Sequence, residues 1–152
     1  MVDENVEDKD IFRETWLRYT GYANEVGEAF RHLVSRRIVR GSYIGAISYV
    51  FADASTKSWR KFQESESLVQ VADVAVDVFL WQMLASVIIP GYTINRITYL
   101  SRVMFKQAGA RESMVKYMPT AVGLLSIPII VHPIDRFVDF IMDKTFRANR
   151  TS

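Results

Sequence analysis

The sequence predicts an all-α, multi-pass membrane bundle, with about three spanning helices and amphipathic helices near its N- and C-terminal ends. Two observations carry that prediction. Three apolar runs, at approximately 38–54, 71–94 and 117–134, are separated by charged stretches. Flanking segments at approximately 11–33 and 133–148 repeat apolar residues every three to four positions, the period of a helix with one buried face. A length of 152 residues, 49% of them hydrophobic, fits a single domain at the apolar end of what water-soluble proteins show.

Taken in order, residues 1–10 form an acidic leader in which Asp3, Glu4, Glu7, Asp8 and Asp10 outweigh Lys9. That is the reverse of an arginine-rich transit peptide, so no cleavable N-terminal presequence is expected. Ile11, Phe12, Trp16, Tyr19, Ala23, Val26, Phe30 and Leu33 then share one helical face, suited to packing against other helices or to lying in a membrane interface. Arg36, Arg37 and Arg40 precede the first run, whose uncharged part, Gly41 to Ala52, is only twelve residues long. This falls short of the roughly 20 residues that cross a hydrocarbon core, although Ile38, Val39 and snorkelling arginines extend it. Asp53 to Gln70 is polar and reads as a connecting loop or short surface helix.

Val78 to Asn95 then carries no charge over eighteen residues, the length at which spanning becomes the leading assignment. Asn95 to Lys116 is basic with helically spaced Ile97, Leu100, Val103 and Met104, and suits a membrane surface. Tyr117 to Ile134 lacks Asp, Glu, Lys and Arg over another eighteen residues, with Pro119 and Pro128 inside it. Proline kinks are accommodated where neighbouring helices satisfy the freed carbonyls. Pro133 suits the first position of a terminal helix whose apolar face is Ile134, Phe137, Val138, Ile141, Met142 and Phe146. Lysines and arginines near the spans number nine on one side and seven on the other, which leaves orientation open.

The chain has no cysteine, which removes disulfides, thiolate metal sites and cysteine nucleophiles. A scattered net charge of +2 argues against nucleic acid as a partner. No phosphate-cradling glycine loop, nucleophile elbow or H-E-x-x-H spacing occurs, so no catalytic residue, metal or cofactor is expected.

Three constellations still draw attention. Asp73 and Asp77 lie one turn apart on an apolar helix. They either bind a cation or relay protons, or Asp73 sits at the membrane edge while Asp77 is buried against an arginine such as Arg96 or Arg136. His132, Asp135 and Arg136 cluster where the third run ends, either to handle a proton or to cap the membrane edge. Gly41 and Gly45 form a G-x-x-x-G, which favours close helix packing within the chain or between two copies.

Four stretches resemble the mitochondrial fission process protein family: GYANEVGEAFR from Gly21, SYVFAD from Ser48, DVFLWQMLASVIIPGYTINR from Asp77 and GLLSIPIIVHPIDRFVDFIMD from Gly123. The resemblance implies a multi-pass protein of the mitochondrial inner membrane that promotes fission and influences inner-membrane integrity and energetic coupling, with no enzymatic activity. It also implies membrane lipids and other inner-membrane proteins as partners, the adenine nucleotide carrier among them. Asp77, Arg96, His132, Asp135 and Arg136 fall inside the matching stretches whereas Asp73 does not, which makes Asp77 the stronger candidate of its pair. The residues alone keep two other readings open. One is a small proton- or ion-conducting, transporter-like protein built on Asp77, His132 and Asp135. The other is a peripheral or soluble bundle whose apolar runs are its own core.

Overall fold

Where water is absent, a helix satisfies its own backbone amides, and every regular element among the described residues is helical. The computed structural model describes residues 18–64 and 67–148, so the acidic leader and the amphipathic stretch 11–17 lie outside the described residues. Two short helices, α1 (Arg18–Gly21) and α2 (Ala23–Ala29), precede α3 (Arg36–Glu64), α4 (Leu68–Gln82), α5 (Ile89–Gln107) and α6 (Glu112–Lys144). A π-helical segment, Met83–Ile88, joins α4 to α5, so that Leu68–Gln107 is one helix of 40 residues.

Three boundaries differ from the sequence expectation, each for a physical reason. The polar stretch after Asp53 continues α3 to Glu64 and is not a loop. Lys57 pairs with Asp53 and Lys61 with Glu64 one turn apart, support that helical spacing provides. The second apolar run does not end as a helix at residue 94: it continues through Pro90-Gly91, with Pro90 directly after the π segment, to Gln107. The basic stretch from Asn95 is therefore the end of the same helix. Nor does Pro133 start a separate terminal helix, since α6 runs through Pro119, Pro128 and Pro133 to Lys144. An apolar surrounding makes continuing the helix better than exposing several unbonded groups at a break.

Leu68–Gln107 is the central element. On one side α3 lies antiparallel to it, with Ala46 and Val50 packed on Val87 and the Phe51 and Phe79 rings 5.3 Å apart. On the other side lies α6, with Ile134, Val138 and Met142 against Trp81 and Ala85. The α5–α6 turn is closed by Gly109, whose φ of +67° is the left-handed conformation that glycine adopts without a Cβ penalty. α2 wedges between α3, α5 and α6.

Leu68–Gln107 and Glu112–Lys144 are long and apolar enough to cross a membrane, and only 22% of each apolar window is buried within the protein. A core helix of a water-soluble bundle would be mostly covered. Instead Ile44, Ile88, Leu125 and Ile129 face outward, with Leu125 71% exposed. At 1.5 Å per residue, the stretch from Asp77 to Arg96 rises roughly 28 Å, close to the hydrocarbon thickness of about 30 Å.

Candidate functional site: a buried polar cluster around α2

α2 presents its polar face inward. Asn24, Glu25 and Glu28 are buried, with Glu25 and Asn24 fully so, whereas Val26 is 41% exposed. Of the apolar stripe, Val26 faces outward here while Ala23 and Phe30 are half-buried. Exposed apolar residues suit a lipid surrounding, in which polar groups gain by turning toward protein.

Three glycines let α2 approach its neighbours closely. A Cβ on Gly27 would lie 2.0 Å from Ser42 Oγ, one on Gly91 2.7 Å from the Tyr43 hydroxyl, and one on Gly123 2.9 Å from Thr98 Oγ1. Through the gap they leave, Asn24 Nδ2 donates to the Val87 carbonyl at 3.0 Å, inside the π segment just before Pro90. Thr120 of α6 donates to the Ala29 carbonyl at 3.0 Å, and His32 Nε2 donates to that of Lys116 at 2.9 Å. The central helix and α6 are therefore tied to this short helix and the turn after it.

The Glu28 carboxylate is the centre of the cluster. It accepts from Tyr43 Oη at 2.8 Å, from Asn95 Nδ2 at 2.8 Å and from the Arg31 guanidinium through both of its oxygens. Burial pushes this carboxyl up, but the bonds from Arg31, Asn95 and Tyr43 outweigh burial and hold it below the ordinary carboxylate value. A second polar chain runs along the seam between α3 and α4. Lys57 pairs with Asp53 at 2.8 Å, Gln82 Nε2 donates to Asp53 at 2.5 Å, and Ser86 donates to Gln82 Oε1 at 2.7 Å. Asp53 is fully buried, so the acid that ends the first apolar run in the sequence is turned away from the outer surface.

Of the residues singled out from sequence, Asp77 is held by Arg147, through bonds of 2.8 and 2.9 Å, and not by Arg96 or Arg136. Arg147 also reaches Asp143 at 2.9 Å and Asp139 at 3.4 Å, and Trp81 Nε1 donates to Asp139 at 2.8 Å. The bonds to Asp77 raise the Arg147 pKa further above its already high value, so the guanidinium stays charged at any physiological pH. Arg96 is exposed at the far end of the span, 5.3 Å from the Tyr92 ring centroid and 5.8 Å from that of Tyr99. His132 and Arg136 are exposed and Asp135 is half-buried on α6, and none of the three bonds to Asp77. An added Cβ on Gly41 meets nothing within 4 Å, and one on Gly45 meets only Ala23 Cβ at 3.9 Å, so neither glycine makes a close helix approach within the chain.

Sequence reasoning missed Asn24, Glu25, Glu28, Tyr43 and Gln82. The available signal was the pairing of acids with Gly27 and Ala29 on one helical face, small residues where a bulky apolar face would be expected.

The model of the Mitochondrial 18 kDa protein family matches residues 9–76 and 63–142. The chain is 49% identical to Mitochondrial fission process protein 1 of Caenorhabditis elegans over 150 residues, 95% of this chain and 90% of the relative. It is 49% identical to the Homo sapiens protein of that name, covering 92% and 87% of the two chains, and 45% identical to the Danio rerio one, covering 91% and 87%. No solved structure matches it. Agreement of this extent, through the α2 cluster and both long apolar helices, means that the chain belongs to the Mitochondrial 18 kDa protein family, with the mitochondrial fission process proteins as its relatives.

Proposed function

We propose that this is a non-catalytic, three-span protein of the mitochondrial inner membrane that promotes or regulates fission and bears on inner-membrane integrity and energetic coupling. The observation that carries the fission role is the identity of 45–49% to fission process proteins over nearly the whole chain. The outward-facing apolar surface of Leu68–Gln107 and Glu112–Lys144 supports membrane insertion. α3 supports a third crossing. It lies alongside the central helix through the same apolar zone, and Asp53, its one acid there, is sealed inside by Gln82 and Lys57.

The polar side chains of the α2 cluster bond to one another and to backbone carbonyls, an arrangement that fixes helix positions and suits a scaffold. A conducting path through Asp77, His132 and Asp135 gains no support from this geometry, because Asp77 is bound on both oxygens by Arg147. Membrane neighbours, with the adenine nucleotide carrier first among them, are expected to co-purify in mild detergent. Cells lacking the protein should hold elongated mitochondria that regain their shape when the chain is restored. Unchanged mitochondrial shape would overturn the proposal.

A further inference from the structure

Where α5 ends and α6 begins, a cleft of about 620 Å³ opens, lined by Arg102, Val103 and Lys106 of α5 and by Val115 and Lys116 of α6. Its charge is unbalanced. Arg102 and Lys106 are exposed and have no ion-pair partner among the described residues, and the Lys116 ammonium rests 5.3 Å from the Tyr117 ring centroid. One acid, Glu112, shares the lining and pairs with none of them. The opposite end of the bundle is the reverse case, with Lys57 on Asp53 and Arg147 on Asp77 and Asp143.

The cleft is also placed in depth. Tyr99, exposed and on the same lining, stands one turn nearer the apolar zone than Arg102 and Val103, and Lys106 one turn farther out. Outward from the apolar zone the aromatic ring comes first and the cations after it, the order in which a bilayer passes from interface to headgroups. The bond from His32 to the Lys116 carbonyl fixes one wall to the N-terminal segment, so the site is held from two directions.

We propose that this cleft binds the headgroup of an anionic phospholipid, with Arg102, Lys106 and Lys116 on the phosphate, Val103 and Val115 beside them, and Tyr99 toward the first part of the acyl chains. The proposal rests on the membrane reading above, and its test separates the two. The full chain, purified in detergent, is titrated with phosphatidylglycerol or phosphatidylcholine, and bound lipid is counted by native mass spectrometry. Phosphatidylglycerol should be retained preferentially. R102Q/K106Q/K116Q should lower that preference on the order of a hundredfold, at about five-fold per cation, while R60Q/K61Q/K144Q at the other end leaves it unchanged.

E112Q, which removes the one acid, should strengthen retention about five-fold and keeps the proposal testable if the triple variant does not fold. Equal retention of the two lipids, or an unchanged preference in the triple variant, would overturn it. So would full displacement of the lipid by millimolar inorganic phosphate, which would mark a site for soluble anions. Release of the protein from membranes by alkaline carbonate would instead overturn the membrane reading itself.

Discussion

Glu28 and Asp77 each bind an arginine through both carboxylate oxygens, yet the two pairs sit in different surroundings. The Glu28 carboxylate is 2% exposed, bonded by Tyr43 and Asn95, although its Arg31 partner is 48% exposed, whereas Asp77 and Arg147 are both partly open at the end of the bundle. A buried carboxylate has no water to return to when its partner is lost, and an open one does. The buried carboxylate therefore positions helices, while the open pair adds little beyond holding α4 to the residues after α6.

The largest effect should come from Arg31→Met, which leaves the buried Glu28 charge with only the Tyr43 and Asn95 bonds. Thermal unfolding in detergent should show a loss of about 3 kcal/mol, and the loss should shrink in acid, where the stranded carboxyl takes a proton. In the unaltered protein the sign is opposite. Glu28 titrates below its ordinary value of 4.5 when folded, so its contribution is complete above that pH and is lost as pH falls through the lower, folded value. A pH series in which the two proteins run parallel would remove Glu28 from its central place.

Next comes Gly27→Ala, whose Cβ would meet Ser42 Oγ at 2.0 Å and Ser42 Cβ at 2.9 Å. A cost of about 1–3 kcal/mol is expected, partly recovered in Gly27→Ala/Ser42→Ala because the nearer of the two clashing atoms is gone. Absence of recovery would mean that α2 does not press on α3 at this point. Asp77→Asn should cost at most about 1 kcal/mol and become neutral at high salt, as partly exposed pairs do. In liposomes it should also leave ion conductance unchanged, and a current abolished by this change would restore the conducting reading. Smallest is Gly41→Ala, which meets no atom and should stabilise α3 by about 0.5–1 kcal/mol.

The same contrast explains what was legible in the sequence. The long uncharged run from Val78 and the one from Tyr117 announce themselves by composition, and both lie in the long apolar helices. The partner of Asp77 does not, because 70 positions separate it from Arg147 and only the antiparallel register of α4 on α6 brings them together. Arg96 is not that partner for a simpler reason: it lies nineteen residues farther along the same helix, roughly 28 Å away. Asp53 looked like the end of an apolar run because a sequence shows a charge but not the direction in which it points. The inward polar face of α2 was not legible, because Asn24, Glu25 and Glu28 find their surroundings on α3, α5 and α6, far away in sequence.

The central claim, three antiparallel crossings with α3 among them, is tested most directly by single cysteines in a chain that has none of its own. Ser35→Cys, Glu64→Cys, Gln107→Cys and Thr145→Cys would be exposed in mitoplasts to a membrane-impermeant maleimide before and after permeabilisation. Positions 35 and 107 should label from one face and positions 64 and 145 from the other. Labelling of 35 and 64 from the same face would show that α3 does not cross and would contradict the account.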